Sequence, residues 1–187
     1  MQAAVTSPPP RARLRGFTLI EVMVVMTIAA VMLGIGMPAL QELLVDQRVR
    51  GAASDLMTDI TFARAKAIEN SRRVYIQRTG TDWKDGWRVF VDLNGNATFD
   101  ANEILLTNIG LEGRLRVCST VAELGTNIIF RPDGRIVRTT AGASTDGIYV
   151  VDELGDTVIA NNKMRALLFT VSGRVTNVKM NASAPPC

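Results

Sequence analysis

Residues Arg15–Pro38 read RGFTLIEVMVVMTIAAVMLGIGMP. From Val22 to Leu40 there are 19 residues without a formal charge, close to the ~20 that cross a bilayer as a helix. Glu21 stands at the start of this run. A carboxylate in lipid is costly, roughly 2.5–3.5 kcal/mol at the bilayer centre on insertion scales, so it calls for a partner. The small residue Gly16 precedes the apolar run, whereas a secretory signal places its small-residue cleavage site after it. Cleavage after Gly16 would leave the apolar helix on the mature chain and create a new α-amine at Phe17. Residues i and i+4 share a helix face, so that amine and Glu21 belong to one face. In a bundle of such helices the amine of one subunit could pair with Glu21 of its neighbour, and a costly acid would become a device for register; the competing reading is a plain single-pass anchor with Glu21 at the headgroups.

Toward the N-terminus, Arg11, Arg13 and Arg15 precede Gly16, and every acidic residue follows it. The arginines read as a cytoplasmic anchor under the positive-inside rule. Removing residues 1–16 takes away three of the 21 basic residues and leaves them equal in number to the 18 acidic ones. The basic pI therefore belongs to the leader and is no sign of a nucleic-acid-binding domain. The chain has no histidine, which removes the commonest general base and transition-metal ligand. No Ser–Lys arrangement is visible, so nothing points to an enzyme or calls for a cofactor. Cys118 and Cys187 form no CxxC, which argues against zinc. If the head faces an oxidising compartment they are expected to form one disulfide; the competing reading is two free thiols.

Toward the C-terminus, residues 41–72 are rich in helix formers. Val49, Ala52, Ala53, Leu56, Met57, Ile60, Ala63, Ala67 and Ile68 recur at spacings of three and four, while Arg48, Asp55, Asp59, Arg64 and Lys66 mark a polar face. From Phe17 to Asn70 a continuous helix would run ~80 Å at 1.5 Å per residue, with Pro38 and the Gly34/Gly36 pair expected to bend or loosen it. After Ser71 the pattern changes to period two. RVYIQRT, WRVFVDL, EILLT, RLRVC, NIIFR, RIVRT, GIYVVDE, RALLFTV and RVTNVKM read as strands joined by short turns. Pro132–Gly134 is the best hairpin signal. The expected class is α+β, a long N-terminal helix packed on an antiparallel head of two small sheets. The divisions are 1–16 leader, 17–40 transmembrane and assembly helix, 41–72 amphipathic helix and 73–187 head.

GFTLIE followed by about twenty apolar residues resembles the class III signal of type IV pilins and pseudopilins. The resemblance implies that a prepilin peptidase cuts after Gly16 and N-methylates Phe17, that Glu21 is the assembly glutamate, and that Pro38 is the helix-bending proline. It also implies a single pass through the inner membrane, a periplasmic head, and partners among other pilin or pseudopilin subunits. WKDGWRVFVDLNGNATFDANEILL, IIFRPDGRI and LLFTVSGRVTNVK resemble the FimT/GspH branch. That branch implies a minor pilin that enters or primes a type IV pilus, at or near its tip. A minor pseudopilin of type II secretion and a DNA-binding tip subunit for DNA uptake are the alternatives.

Two constellations in the head invite chemistry. Asp92, Asn94, Asn96, Thr98, Asp100 and Glu103 have the offsets of a twelve-residue EF-hand calcium loop. Ala97 stands where that motif uses glycine, and the competing reading is an Asn/Asp/Gly turn whose side chains bond backbone. Arg165, Arg174 and Lys179, with Lys163, are the charges of a C-terminal stretch without acid after Asp156, and Arg131, Arg135 and Arg138 lie upstream. Some FimT-type pilins are implicated in DNA uptake through basic residues near a C-terminal G-R-x-R. Gly173 and Arg174 match that pattern, but Thr176 takes the place of the second arginine. The alternative is a solvated strand face. Trp83 and Trp87 read as a core anchor and a loop lid.

Overall fold

The computed structural model describes residues 16–119, 124–137, 147–152, 164–170 and 172–180, with the backbone alone at 38, 39 and 42. A long helix, α1, runs Leu19–Asn70. Among the described residues eight strands follow: β1 Val74–Arg78, β2 Trp87–Val91, β3 Ile104–Asn108, β4 Leu115–Ser119, β5 Asn127–Phe130, β6 Gly147–Asp152, β7 Met164–Phe169 and β8 Val175–Met180. The chain divides into two compact units, residues 1–42 and 43–187.

Within the second unit the strands form two four-stranded sheets, ordered β3-β2-β1-β5 and β4-β6-β7-β8. Every strand pairing among the described residues is antiparallel. A period of two puts alternate residues on opposite faces, and that alternation builds the core. Val74, Ile76, Trp87, Val89, Ile128 and Phe130 of the first sheet join Leu115, Val117, Ile148, Val150, Leu167 and Phe169 of the second in one buried cluster. From α1 the cluster takes Val45, Val49, Ala52, Ala53, Leu56, Ile60, Ala63 and Ala67. The four alanines at 52, 53, 63 and 67 present little bulk toward the sheets.

The outer faces are covered as well. On the first sheet Tyr75 stacks on Phe90 with ring centroids 5.1 Å apart. Phe99 meets Phe90 edge-on at 5.4 Å, and the Arg88 guanidinium lies 4.0 Å from the Phe99 centroid. On the second sheet Tyr149, Val151, Met164 and Ala166 form a separate buried cluster.

Three expectations need correction. Ile68 is not core but half exposed, at 50%; it lies against the turn at Gly134 rather than over a sheet. RIVRT is no strand in its described part: Ile136 makes one isolated bridge to Phe130, and residues 138–139 lie outside the described residues. Across the return at Pro132–Gly134, Arg131 N–H donates to Arg135 O at 2.9 Å and Val137 N–H to Ile129 O at 2.8 Å, so the described pairing consists of this one bridge. Trp87 is no lid, since both indoles are buried in the core.

Candidate assembly interface and charged surfaces of the head

The residues 17–22 begin the helix by a local device. Thr18 caps α1: its Oγ1 accepts the Glu21 N–H at 3.2 Å, and its carbonyl accepts the Val22 N–H at 3.2 Å. Such a cap typically contributes about 1 kcal/mol. Glu21 falls in the first turn, where a negative charge offsets the positive end of the helix dipole. Phe17, Glu21, Val22, Val25 and Met26 line one shallow depression, so Phe17 and the acid share a surface, as the i, i+4 spacing requires.

Leu19–Met37 is a 19-residue stretch, apolar apart from Glu21, with nothing buried inside the protein. At 1.5 Å per residue it is ~28 Å long, against ~30 Å of hydrocarbon in a bilayer. Phe17 is 82% exposed and Ile35 75%. A continuous apolar surface of this size marks a membrane or protein contact. Pro38 lies inside the helical span. The leader residues 1–15 lie outside the described residues.

The polar face of the head helix is more than solvated. Arg48 reaches Asp152 at 3.3 Å, and the Asp152 side chain is wholly buried. Asp59 Oδ2 accepts the Trp87 indole N–H at 2.8 Å. Arg64 donates to Gly134 O at 3.0 Å and Ser172 O at 3.2 Å. Each contact spans at least 28 residues of sequence, so helical periodicity gave no sign of it. Charged residues on the half-buried edges of an otherwise apolar stripe were the one available signal.

The loop 92–103 is held by its own side chains. Asp92 Oδ1 accepts Gly95 N–H at 2.7 Å and its Oδ2 accepts Ala97 N–H at 3.2 Å. Asn94 and Asn96 both donate to Asp100 Oδ2, at 2.7 and 3.2 Å, and Asn96 Oδ1 accepts Thr98 N–H at 2.8 Å. Glu103, fully buried, accepts from Leu93 N–H at 2.8 Å and Asp100 N–H at 3.3 Å. Ala97 adopts φ 60°, the left-handed conformation the calcium motif assigns to glycine there. Among the described residues no group of three or more His, Cys, Asp or Glu side chains converges to hold a metal. The arrangement present is the self-bonded turn, and it carries Phe99 onto the first sheet.

The three basic residues singled out for DNA do not form one patch. Arg165 and Lys179 are direct cross-strand partners with the same parity as core Leu167 and Phe169, so they face α1. There the Asp46 carboxyl is held below its ordinary value, first by its hydrogen bond from Arg50 and then by the charges of Arg50, Lys179 and Arg165. Arg165 also reaches Asn177 Oδ1 at 3.4 Å. Arg174 precedes β8 at the opposite end, five residues from Lys179, or ~17 Å along an extended strand. Cys118, in β4, is disulfide-bonded; Cys187 lies outside the described residues.

Comparison with known proteins agrees with this architecture. Residues 52–178 match the family described as type II transport protein GspH, and residues 11–37 match the prokaryotic N-terminal methylation motif. The chain is 38% identical over 91 residues to the pilin-like protein PilA1 of Thermus thermophilus, a stretch covering 48% of this chain and 55% of that protein. It thus spans about half the length of this curated relative. Two crystal forms of the type IV minor pilin FimU of Pseudomonas aeruginosa share the fold at 19% identity. Their TM-scores are 0.55 and 0.53, over 70% and 69% of this chain and 87% and 91% of theirs. A pilin-like fold, an N-terminal methylation motif and a family match across most of the head converge: the chain belongs to the GspH family, within the type IV pilin and pseudopilin superfamily of structural filament subunits.

Proposed function

We propose that the chain is the precursor of a minor pilin that enters, or primes, a type IV pilus. It is inserted once through the inner membrane with its head in the periplasm. Prepilin peptidase cuts after Gly16, Phe17 becomes the N-methylated first residue, and the apolar helix then moves from lipid into a bundle of like helices. The observation carrying this reading is the shared exposed surface of Phe17 and Glu21 at the start of a wholly unburied apolar span. In that bundle Glu21 pairs with the amine of an adjacent subunit, and Pro38 adjusts the helix path. The role is structural rather than catalytic. The periplasmic placement also supports a Cys118–Cys187 disulfide, since that compartment is oxidising.

Mass spectrometry of the mature N-terminus tests the processing step; an N-terminus other than methylated Phe17 would overturn it. A second reading, a minor pseudopilin of type II secretion, is favoured by the description of the matching family. Deletion of the gene separates the two: loss of surface pili supports the first, loss of protein export the second. A DNA-binding tip built on Arg165, Arg174 and Lys179 is not adopted, because two of the three face Asp46 and the third lies at the far end of the strand.

A further inference from the structure

We infer that the head carries an oxyanion site of the phosphate class in the basin where α1 ends and the first sheet begins. The basin has a volume of about 620 Å³ and is lined by Ser71, Arg72, Arg73 and Arg131, with Asp92 in its wall. Strand register brings these residues together. Val74 pairs with Val91 on one side and Phe130 on the other. The preceding residue, Arg73, therefore stands between Asp92 and Arg131; Asp92 N–H donates to Arg73 O at 2.9 Å. Ser71 takes φ 51°, ending the helix so that the two following arginines leave it at the rim of the sheet.

The donor set suits a tetrahedral oxyanion. Arginine offers planar, fixed-charge donors that grip phosphate bidentately, three arginines line the basin, and Ser71 beside them carries a hydroxyl. Arg72 is already held, its guanidinium bonded to Leu93 O at 2.5 Å. Arg73 makes no ion pair among the described residues. Two carboxylates oppose the arginines. Asp92 is buried, with both oxygens engaged by Gly95 and Ala97. Asp133 lies 3.7 Å from Arg131, with both side chains about half exposed, a pair that an incoming anion can displace because exposed pairs contribute little. The plain alternative is that the arginines only offset the negative end of α1.

The test uses the full chain in neutral detergent, titrated calorimetrically with inorganic phosphate, with a soluble phosphomonoester, and with a short DNA duplex. The comparison is the double variant Arg73→Ala/Arg131→Ala, its folding checked by circular dichroism. Expected is saturable phosphate binding that weakens at least about tenfold in the folded variant, the equivalent of one good charge-assisted contact. Tighter binding of the free ion assigns the site to phosphate itself. Tighter binding of the monoester or the duplex through the same arginines assigns it to a phosphate carried on a larger molecule. No saturable binding, or equal binding by wild type and folded variant, overturns the site. Should the double variant unfold, Arg73→Gln alone carries the test with the same expected loss.

Discussion

Gly173 and Gly134 meet backbone to backbone: a Cβ built on Gly173 would collide with the Gly134 carbonyl oxygen. Gly134 closes the turn after β5 in the first sheet, and Gly173 closes the turn between β7 and β8 in the second. Both have positive φ, 76° and 79°. Arg64 of α1 clasps the two turns, donating to Gly134 O and Ser172 O. The two motifs PDGR and SGR, far apart in sequence, are thus one joint between the sheets.

Gly173→Ala is expected to destabilise the head by roughly 3 kcal/mol, because strain at a positive φ adds to a backbone clash that no side chain can relieve. Gly51→Ala is the control. It lies in α1 with nothing within 4 Å of an added Cβ and should stabilise by about 0.5–1 kcal/mol. Thermal unfolding of the two variants, followed by circular dichroism, should move in opposite directions.

Asp59→Ala removes the acceptor of the buried Trp87 indole N–H. An unsatisfied buried donor costs about 1–3 kcal/mol. Asp59→Asn keeps an oxygen at the same place and should recover most of that loss. Urea denaturation read by tryptophan fluorescence distinguishes the two; equal losses would show that charge, not the hydrogen bond, matters.

Glu21→Val removes the acid without shortening the apolar span. Membrane insertion and cleavage after Gly16 should persist, since neither needs the carboxylate, while incorporation into filaments should fall sharply. Fractionation of sheared filaments and membranes with an antibody to the head reads both. Normal incorporation would end the amine-pairing proposal.

The Asp85 carboxyl is held below its ordinary 3.8, first by the Asp82 N–H and also by Thr81 and the Lys84 charge. A depressed folded value means a stabilising contribution that is complete above the unfolded value and is lost as pH falls through the folded one. Acid unfolding monitored at Trp83, in the same short turn, should therefore begin at higher pH in Asp85→Asn than in wild type. Identical acid transitions would remove Asp85 from the account.

Reduction of the proposed Cys118–Cys187 disulfide, or Cys118→Ser, should lower stability. Closing a loop of about 70 residues contributes ~4 kcal/mol by chain-entropy arguments. Peptide mapping before and after reduction identifies the partner, and recovery of two free thiols from the untreated protein would refute the pairing.

Much of the molecule was legible because its determinants are local. The apolar run with Gly16, Phe17 and Glu21, the three-and-four spacing that buries Val49 to Ala67, and period two in the strands each depend on neighbours within a few residues. So did the hairpin at Pro132–Gly134. The failures share one cause as well. Whether Ile68 and Trp87 are covered, and whether Ile136 extends a strand, depends on what other segments supply.

The residues themselves determined that this chain has an apolar, acid-marked N-terminal helix and an antiparallel head. Only tertiary structure decided how its charges are used. Register across β7 and β8 turned Arg165 and Lys179 toward Asp46 and left Arg174 at the far end, while β1 set Arg73 beside Arg131. A charge acts through the groups within a few ångströms of it, and in this fold those groups come from distant stretches of sequence, so no local pattern could have announced them.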